Sequence, residues 1–232
     1  RSDSPEQHLK EDIDTLDRLT AANHQINTKR SHFFRQSIHL LGHTFTKNGI
    51  SIDKRKLLDV EKWDLPKTGN QISQLLGLMN YFRDFIPCYS TLAAPLESMR
   101  KTTYLSKELW TEPRLRAFTS LKEALQVGTF LSFPDFDKRF IIAPDASHVG
   151  VAAVLYQLAD QDSADVIRNR RWICFYARAL HASECNYSTT RKELLAIVFA
   201  LKRCHHFVWG RHFTLYTDHR ALIYFHRRTF HQ

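Results

Sequence analysis

Apolar residues recur at two different periods along this chain, and the switch between them divides it. Leu9, Ile13, Leu16 and Leu19 return every three or four positions within a polar stretch, which predicts an amphipathic helix over residues 5–25. Acidic residues crowd its first turns, where they suit the positive end of the helix dipole. Its apolar stripe reads as core packing. SIHLLGHTFTKNGISID then has strand character, with Asn48-Gly49 as a type I′ turn signal, so it reads as a β-hairpin. Helical spacing resumes over 54–63 and stops before Leu65-Pro66, because the residue before a proline is pushed out of helical backbone. A longer helix follows over 69–85, with Ile72, Leu75, Leu76, Met79, Phe82 and Ile86 on its apolar face and Pro87 ending it. A short helix over 91–99 is limited or kinked by Pro95. TEPRLRAFTSLKEALQ is a further helix, with Pro113 suited to its first turn.

The pattern changes near Arg139. RFIIAP is a strand over 139–144, a second runs over 149–157 and a third over 172–177, with the polar loop DQDSADVIRNRR before the third. The main helix spans 188–207. Ser188 or Thr189 caps it, and Leu194, Leu195, Val198 and Leu201 form its expected buried stripe. HFTLYT is a fourth strand, and HRALIYF begins another helix. Three strands, helix, strand, helix imply a mixed sheet with helices packed on it. The whole chain therefore reads as α/β in the α+β sense: a mainly helical region with a β-hairpin, then a mixed sheet flanked by helices.

Three acids stand out against this frame. Asp145 in FIIAPDAS and Asp218 in FTLYTDHRAL follow apolar strands, and Glu193 in NYSTTRKELLAIV lies near a helix start. Strand ends and a helix start can converge, and acids held together repel one another unless a cation lies between them. A two-metal site of this kind can activate water and stabilise the leaving oxygen in phosphodiester cleavage. Charge points the same way. The 232 residues carry a formal net charge of +9, and from Arg139 onward 13 Lys/Arg face 7 Asp/Glu, which favours a polyanionic partner.

Other classes are disfavoured. No apolar run is long enough to span a membrane, and RSDSPEQHLKED lacks the apolar core of a signal peptide, so an intracellular protein with no membrane partner is expected. Cys88, Cys174, Cys185 and Cys204 form no CxxC pair and read as free thiols in a reducing compartment. His205 and His206 follow Cys204 directly, but adjacent side chains on a helix diverge, which argues against a metal site there. The chain does not start with Met, which predicts a fragment or a processed product.

The string NYSTTRKELLAIVFALKRCHHFVWGRHFTLYTDHRAL, with Asp145-Ala-Ser, Gly150 and AAVLYQ before it, resembles the ribonuclease H domain of reverse transcriptases from Ty3/gypsy-type LTR retrotransposons. The resemblance reaches back to about Gln7. It implies three segments: the end of a polymerase palm with a primer-grip-like hairpin over 1–52, thumb and connection helices over 53–138, and a ribonuclease H unit over 139–232. It implies that Asp145, Glu193 and Asp218 are catalytic and hold Mg²⁺ in a two-metal site, with Mn²⁺ as a possible substitute. RNA in an RNA–DNA hybrid is the implied substrate, and the rest of a Pol polyprotein is an implied partner. Leu41, Gly42 and His43 would sit in the strand that grips the primer. Lys67, Tyr81 and Arg83 are candidates for contact with a duplex, and Arg191 for the RNA backbone.

Two departures from the family shape the expectations. Pro144 replaces a usual strand former before Asp145, so that strand end should sit at an edge or pair less completely. The family's fourth carboxylate, on a later helix, has no counterpart before Gln232. No Tyr-x-Asp-Asp string occurs, so the polymerase site is absent from these residues. The alternative to a working nuclease is a catalytically dead or weak nucleic-acid-binding remnant. A third reading is a truncated relic with exposed core and no stable function.

Overall fold

The computed structural model describes residues 4–27, 29–57, 60–160 and 164–223. Helix α1 (Pro5–Ala21) is capped by the Ser4 hydroxyl, which accepts the Gln7 N–H at 3.2 Å. Its stripe is not core packing as the periodicity suggests. The helix buries no residue, and Leu9 and Ile13 are 50% and 48% exposed.

Three short antiparallel strands follow: β1 (Ser37–Leu40), β2 (His43–Thr46) and β3 (Gly49–Ile52). The tight turn of positive φ is not where Asn48-Gly49 places it. Leu41 and Gly42, expected within a strand, form the β1–β2 turn with φ of 51° and 77°. Two-residue hairpin turns with both central φ values positive match the strand twist. Between β2 and β3 the chain turns at Lys47 and Asn48, neither of which has positive φ. Gly49 opens β3 and pairs with Ser132 of β4 (Leu131–Ser132), a strand the sequence pattern missed. A Cβ on Gly49 would collide with the Leu131 carbonyl and lie 2.8 Å from the Phe130 ring. The glycine serves a close strand contact rather than a turn.

The expected helix over 54–63 is α2 (Lys54–Leu57) and a 3-10 turn at Val60–Lys62. Helix α3 (Gly69–Tyr81) starts in a reciprocal capping box between Thr68 and Gln71. It ends earlier than expected, giving way to a 3-10 turn at Arg83–Phe85. Helix α4 (Tyr89–Glu97) contains Pro95, and α5 (Glu112–Val127) carries Pro113 in its first turn.

The second sheet holds β5 (Phe140–Ala146), β6 (Gly150–Leu158) and β7 (Arg170–Ala179), followed by α6 (Ala182–Cys185), α7 (Thr189–Val208), β8 (Phe213–Leu215) and α8 (Arg220–Ile223). The remainder of the helix expected in HRALIYF lies outside the described residues. The strand order is β7-β6-β5-β8. The crossover through α7 makes β8 parallel to β5, while the other pairs are antiparallel. Pro144 pairs with Ala153 on β6 but lies past Ile142, the last β5 residue laddered to β8. Its missing N–H therefore falls where β5 has lost that neighbour.

Alternation along the strands gives this sheet two covered faces. Ala152, Phe175 and Ala177 pack into one core with Ile72, Leu76, Met79, Leu96 and Leu121 of the helical region. Phe140, Ile142, Ala153 and Leu155 pack on the opposite side against Ala200, Cys204 and Val208 of α7. The buried face of α7 holds Glu193, Ala196, Phe199, Ala200, Cys204 and Val208; of the expected stripe, Leu195 and Leu201 are half-buried and pack against the cores, while Leu194 and Val198 face outward. Leu194 and Val198 are 37% and 41% exposed, over a groove of about 810 Å³ that Leu222 also lines. Small residues let the helix lie close to the sheet. Glu193 lies on this buried face, so its carboxyl is turned inward.

Candidate active site and nucleic-acid interface

Asp145 is exposed near the end of β5, just before the turn into β6. That turn is built by Ser147. Its hydroxyl accepts the Gly150 N–H at 3.0 Å and donates to the Gly150 carbonyl, and its own N–H donates to the same carbonyl at 2.8 Å. Gly150 is required by space: a Cβ there would lie 2.8 Å from Ser90 Oγ and 2.9 Å from the Arg178 carbonyl. The Asp-Ala-Ser…Gly spacing is therefore a hairpin lock directly beside the acid.

Glu193 lies in the second turn of α7. Ser188 caps this helix by accepting the Arg191 N–H at 3.4 Å. Arg178 and Glu184 brace the approach. Two hydrogen bonds of 2.6 and 2.9 Å join them, and the His181 N–H donates to Glu184 at 2.8 Å. The Arg178 guanidinium and that N–H hold the Glu184 carboxyl down at about 2. The sequence singled out neither residue, since a lone Arg and Glu six positions apart carry no visible signal.

Asp218 is exposed in the loop after β8. That loop continues the sheet through the Tyr216 N–H, which donates to the Ile142 carbonyl at 2.9 Å. His219 Nε2 lies 3.0 Å from Thr190 Oγ1 on the first turn of α7.

The fold brings these acids within electrostatic reach of one another. Glu193 is 9% exposed, and its carboxyl is pushed above the usual range by burial first, then by the charges of Asp218 and Asp145; His219 opposes the rise. Three carboxylates with hard oxygen donors suit a divalent ion such as Mg²⁺. Among the described residues, however, no group of three or more His, Cys, Asp or Glu side chains is arranged to hold a metal ion. Chemically the donor set fits, but the side chains are not closed around a common point.

The candidate nucleic-acid contacts fall in separate places. Leu41, Gly42, His43 and Tyr81 come together. The Tyr81 hydroxyl donates to the Leu41 carbonyl, the Tyr81 and His43 rings lie 5.5 Å apart, and a Cβ on Gly42 would touch Phe82 and Tyr81. Leu41 and Tyr81 are 76% and 52% exposed. Lys67 is exposed at the other end of α3, roughly 20 Å away along a helix of this length. Arg83 is half-buried and turned toward the protein: its guanidinium donates to the Ala177 carbonyl on β7 and to Asn80 Oδ1 at 3.3 Å. Arg191 is exposed at the start of α7, on the helix that carries Glu193.

The β5–β6–β7, α7, β8 arrangement defines a mixed sheet with an acidic corner, and residues 135–232 match the family model described as the RNase H-like domain found in reverse transcriptase. In this segment the chain is similar to that domain. Over 226 residues the chain is 33% identical to the retrovirus-related Pol polyprotein from transposon 297 of Drosophila melanogaster, spanning 97% of this chain and 20% of that one. It is 32% identical over 224 residues to the Tf2-3 polyprotein of Schizosaccharomyces pombe, spanning 96% and 16%. The chain thus covers a fifth or less of these curated relatives. Among solved structures, the foamy viral protease-reverse transcriptase dRH in complex with double-stranded DNA superposes with a TM-score of 0.76 at 18% identity, over 99% of this chain and 39% of that one. The foamy viral enzyme in complex with RNA/DNA hybrid gives 0.74 at 19%, over 97% and 30%. These likenesses concern the fold. No helix among the described residues is long and apolar enough to cross a membrane.

Proposed function

We propose that this chain is part of a reverse transcriptase from a Ty3/gypsy-type LTR retrotransposon Pol polyprotein, and that residues 139–232 hydrolyse the RNA strand of RNA–DNA hybrids. The observation that carries this reading is Glu193: a buried carboxyl, on the inward face of α7, under the charges of Asp145 and Asp218. Burying an acid beside two others is costly, and a cation held among them offsets that cost. Asp145, Glu193 and Asp218 would hold Mg²⁺, or Mn²⁺ in its place. When bound, the metal supplies an activated water and charge stabilisation at the scissile phosphate. The chain's own part is to fix the acids, through the Ser147 hairpin lock, the inward turn of α7 and the extension of β8. Arg191 would meet the RNA backbone beside Glu193. The exposed face of Leu41, Gly42, His43 and Tyr81 would lie against a duplex, with Lys67 as a more distant contact. Arg83 would act on that face indirectly, by tying the end of α3 to β7. The rest of a Pol polyprotein would be its partner, and the site of action intracellular, in a cytoplasmic particle or the nucleus.

A labelled RNA–DNA hybrid incubated with Mg²⁺ tests this. Cleavage by the chain that disappears with Asp145→Asn and on metal removal is the expected result; cleavage that survives Asp145→Asn would overturn it. A second reading, a module that holds hybrid without cutting it, draws on the open arrangement of the acids. It predicts salt-sensitive, metal-independent hybrid binding with no product.

A further inference from the structure

Of the three acids, Asp218 has the least support from its own element. Asp145 sits in a seven-residue strand paired with β6, and Glu193 in a twenty-residue helix packed on the sheet. Asp218 follows a three-residue strand, on a loop flanked by the exposed Tyr216. The His219 N–H folds back to Thr217 Oγ1 at 3.2 Å, which shapes the turn but anchors it to nothing else. The Tyr216 N–H ties the start of the loop to the Ile142 carbonyl of β5, and the contact that reaches α7 is His219 Nε2 to Thr190 Oγ1, 3.0 Å. Among the described residues no other hydrogen bond crosses from 216–219 to α7. Thr190 is the second residue of α7, one turn before Glu193, so this bond links the Asp218 loop to the helix that carries the buried acid.

We infer that the Thr190–His219 pair is a latch that positions Asp218 beside Glu193, making both of them positioning residues of the acidic site. This rests on the reading of Asp145, Glu193 and Asp218 as the metal-holding set. The physical role is preorganisation. A carboxylate on a loose loop must be ordered when it binds a ligand, and a bond already made in the free protein removes that cost. Groups that orient a ligating side chain without touching the metal typically contribute 10–100-fold to affinity.

The test uses the chain with Thr190→Val, which removes the hydroxyl with little change in shape, and Thr190→Ser, which restores it. Residue-resolved amide exchange is measured without metal, and Mn²⁺ binding by calorimetry. Thr190→Val should speed exchange at residues 217–219 about fivefold, the equivalent of one lost hydrogen bond, and weaken Mn²⁺ binding about tenfold. Thr190→Ser should return both toward the parent, and exchange in β5 and β6 should stay unchanged in both variants. Unchanged exchange at 217–219 in Thr190→Val would overturn the latch. Faster exchange there with Mn²⁺ affinity intact would overturn its role in positioning Asp218. If the parent chain binds no Mn²⁺, the metal-site reading fails and the positioning role falls with it, while the exchange result still decides whether the contact holds the loop.

Discussion

At the scale of single residues, Glu193 shows most directly what its surroundings cost. Its folded carboxyl titrates above the unfolded one, so the folded state binds the proton more tightly. Stability then falls as pH rises through the window between the unfolded and the raised folded value, and the penalty is complete above it. Glu193→Gln keeps the shape and removes the charge. In metal-free buffer the variant should match the parent near pH 4 and unfold at a higher temperature near pH 8, while losing hybrid cleavage. Thermal melts across that range check it; a variant less stable than the parent at pH 8 would mean that the charged form is favoured in the fold. The three acids were legible in sequence because each sits in a recognisable string. The supporting residues were not, because Arg178, Glu184 and Thr190 act through contacts that only the folded chain creates.

At the scale of elements, the departures from the sequence pattern have common causes. Periodicity correctly marks α3, α5, α7 and the strands β5 to β7, where long apolar repeats meet a packed layer. It misleads where the partner layer decides. The stripe of α1 is left largely exposed, and on α7 Leu194 and Val198 face outward while Ala196 and Ala200 lie against the sheet. The hairpin expected at Asn48-Gly49 does form between β2 and β3, but without the type I′ backbone, and Gly49 answers to β4, more than 80 residues later. Gly49→Ala puts this to the test. A methyl group there must displace the Leu131 carbonyl or part β3 from β4, a cost of about 1–3 kcal/mol by analogy with overpacked cores. A Lys47-Asn48 turn with no positive φ predicts that Asn48→Ala costs far less. Chemical denaturation of both variants gives the comparison, and equal costs would restore Gly49 to a turn role.

At the scale of the whole molecule, the sheet bearing the acids is held between two cores. Its α7 side is local, built from residues within the RNase H-like segment. Its other side is covered by α4 and the 3-10 turn at Arg83–Phe85, whose Arg83 donates to the Ala177 carbonyl, and Phe175 and Ala177 belong to one apolar core with Leu76, Met79 and Leu121 of α3 and α5. A sheet covered on both faces loses its burial if either layer leaves. The helical region and the sheet should therefore open together. Phe175→Ala removes a side chain from their shared core and should cost about 3–5 kcal/mol. The informative readout is where that loss appears. Amide exchange near global unfolding should accelerate equally in β5, β6, α3 and α5, since all four depend on one cooperative core. Protection lost in β6 and β7 but retained at Leu76 and Leu121 would show two independent units, with the acidic site resting on its own half alone. Equal loss would mean that the carboxylates are placed by the helical region as much as by the strands that carry them, and that a shortened chain starting near Arg139 should hold its acids less firmly than the full one.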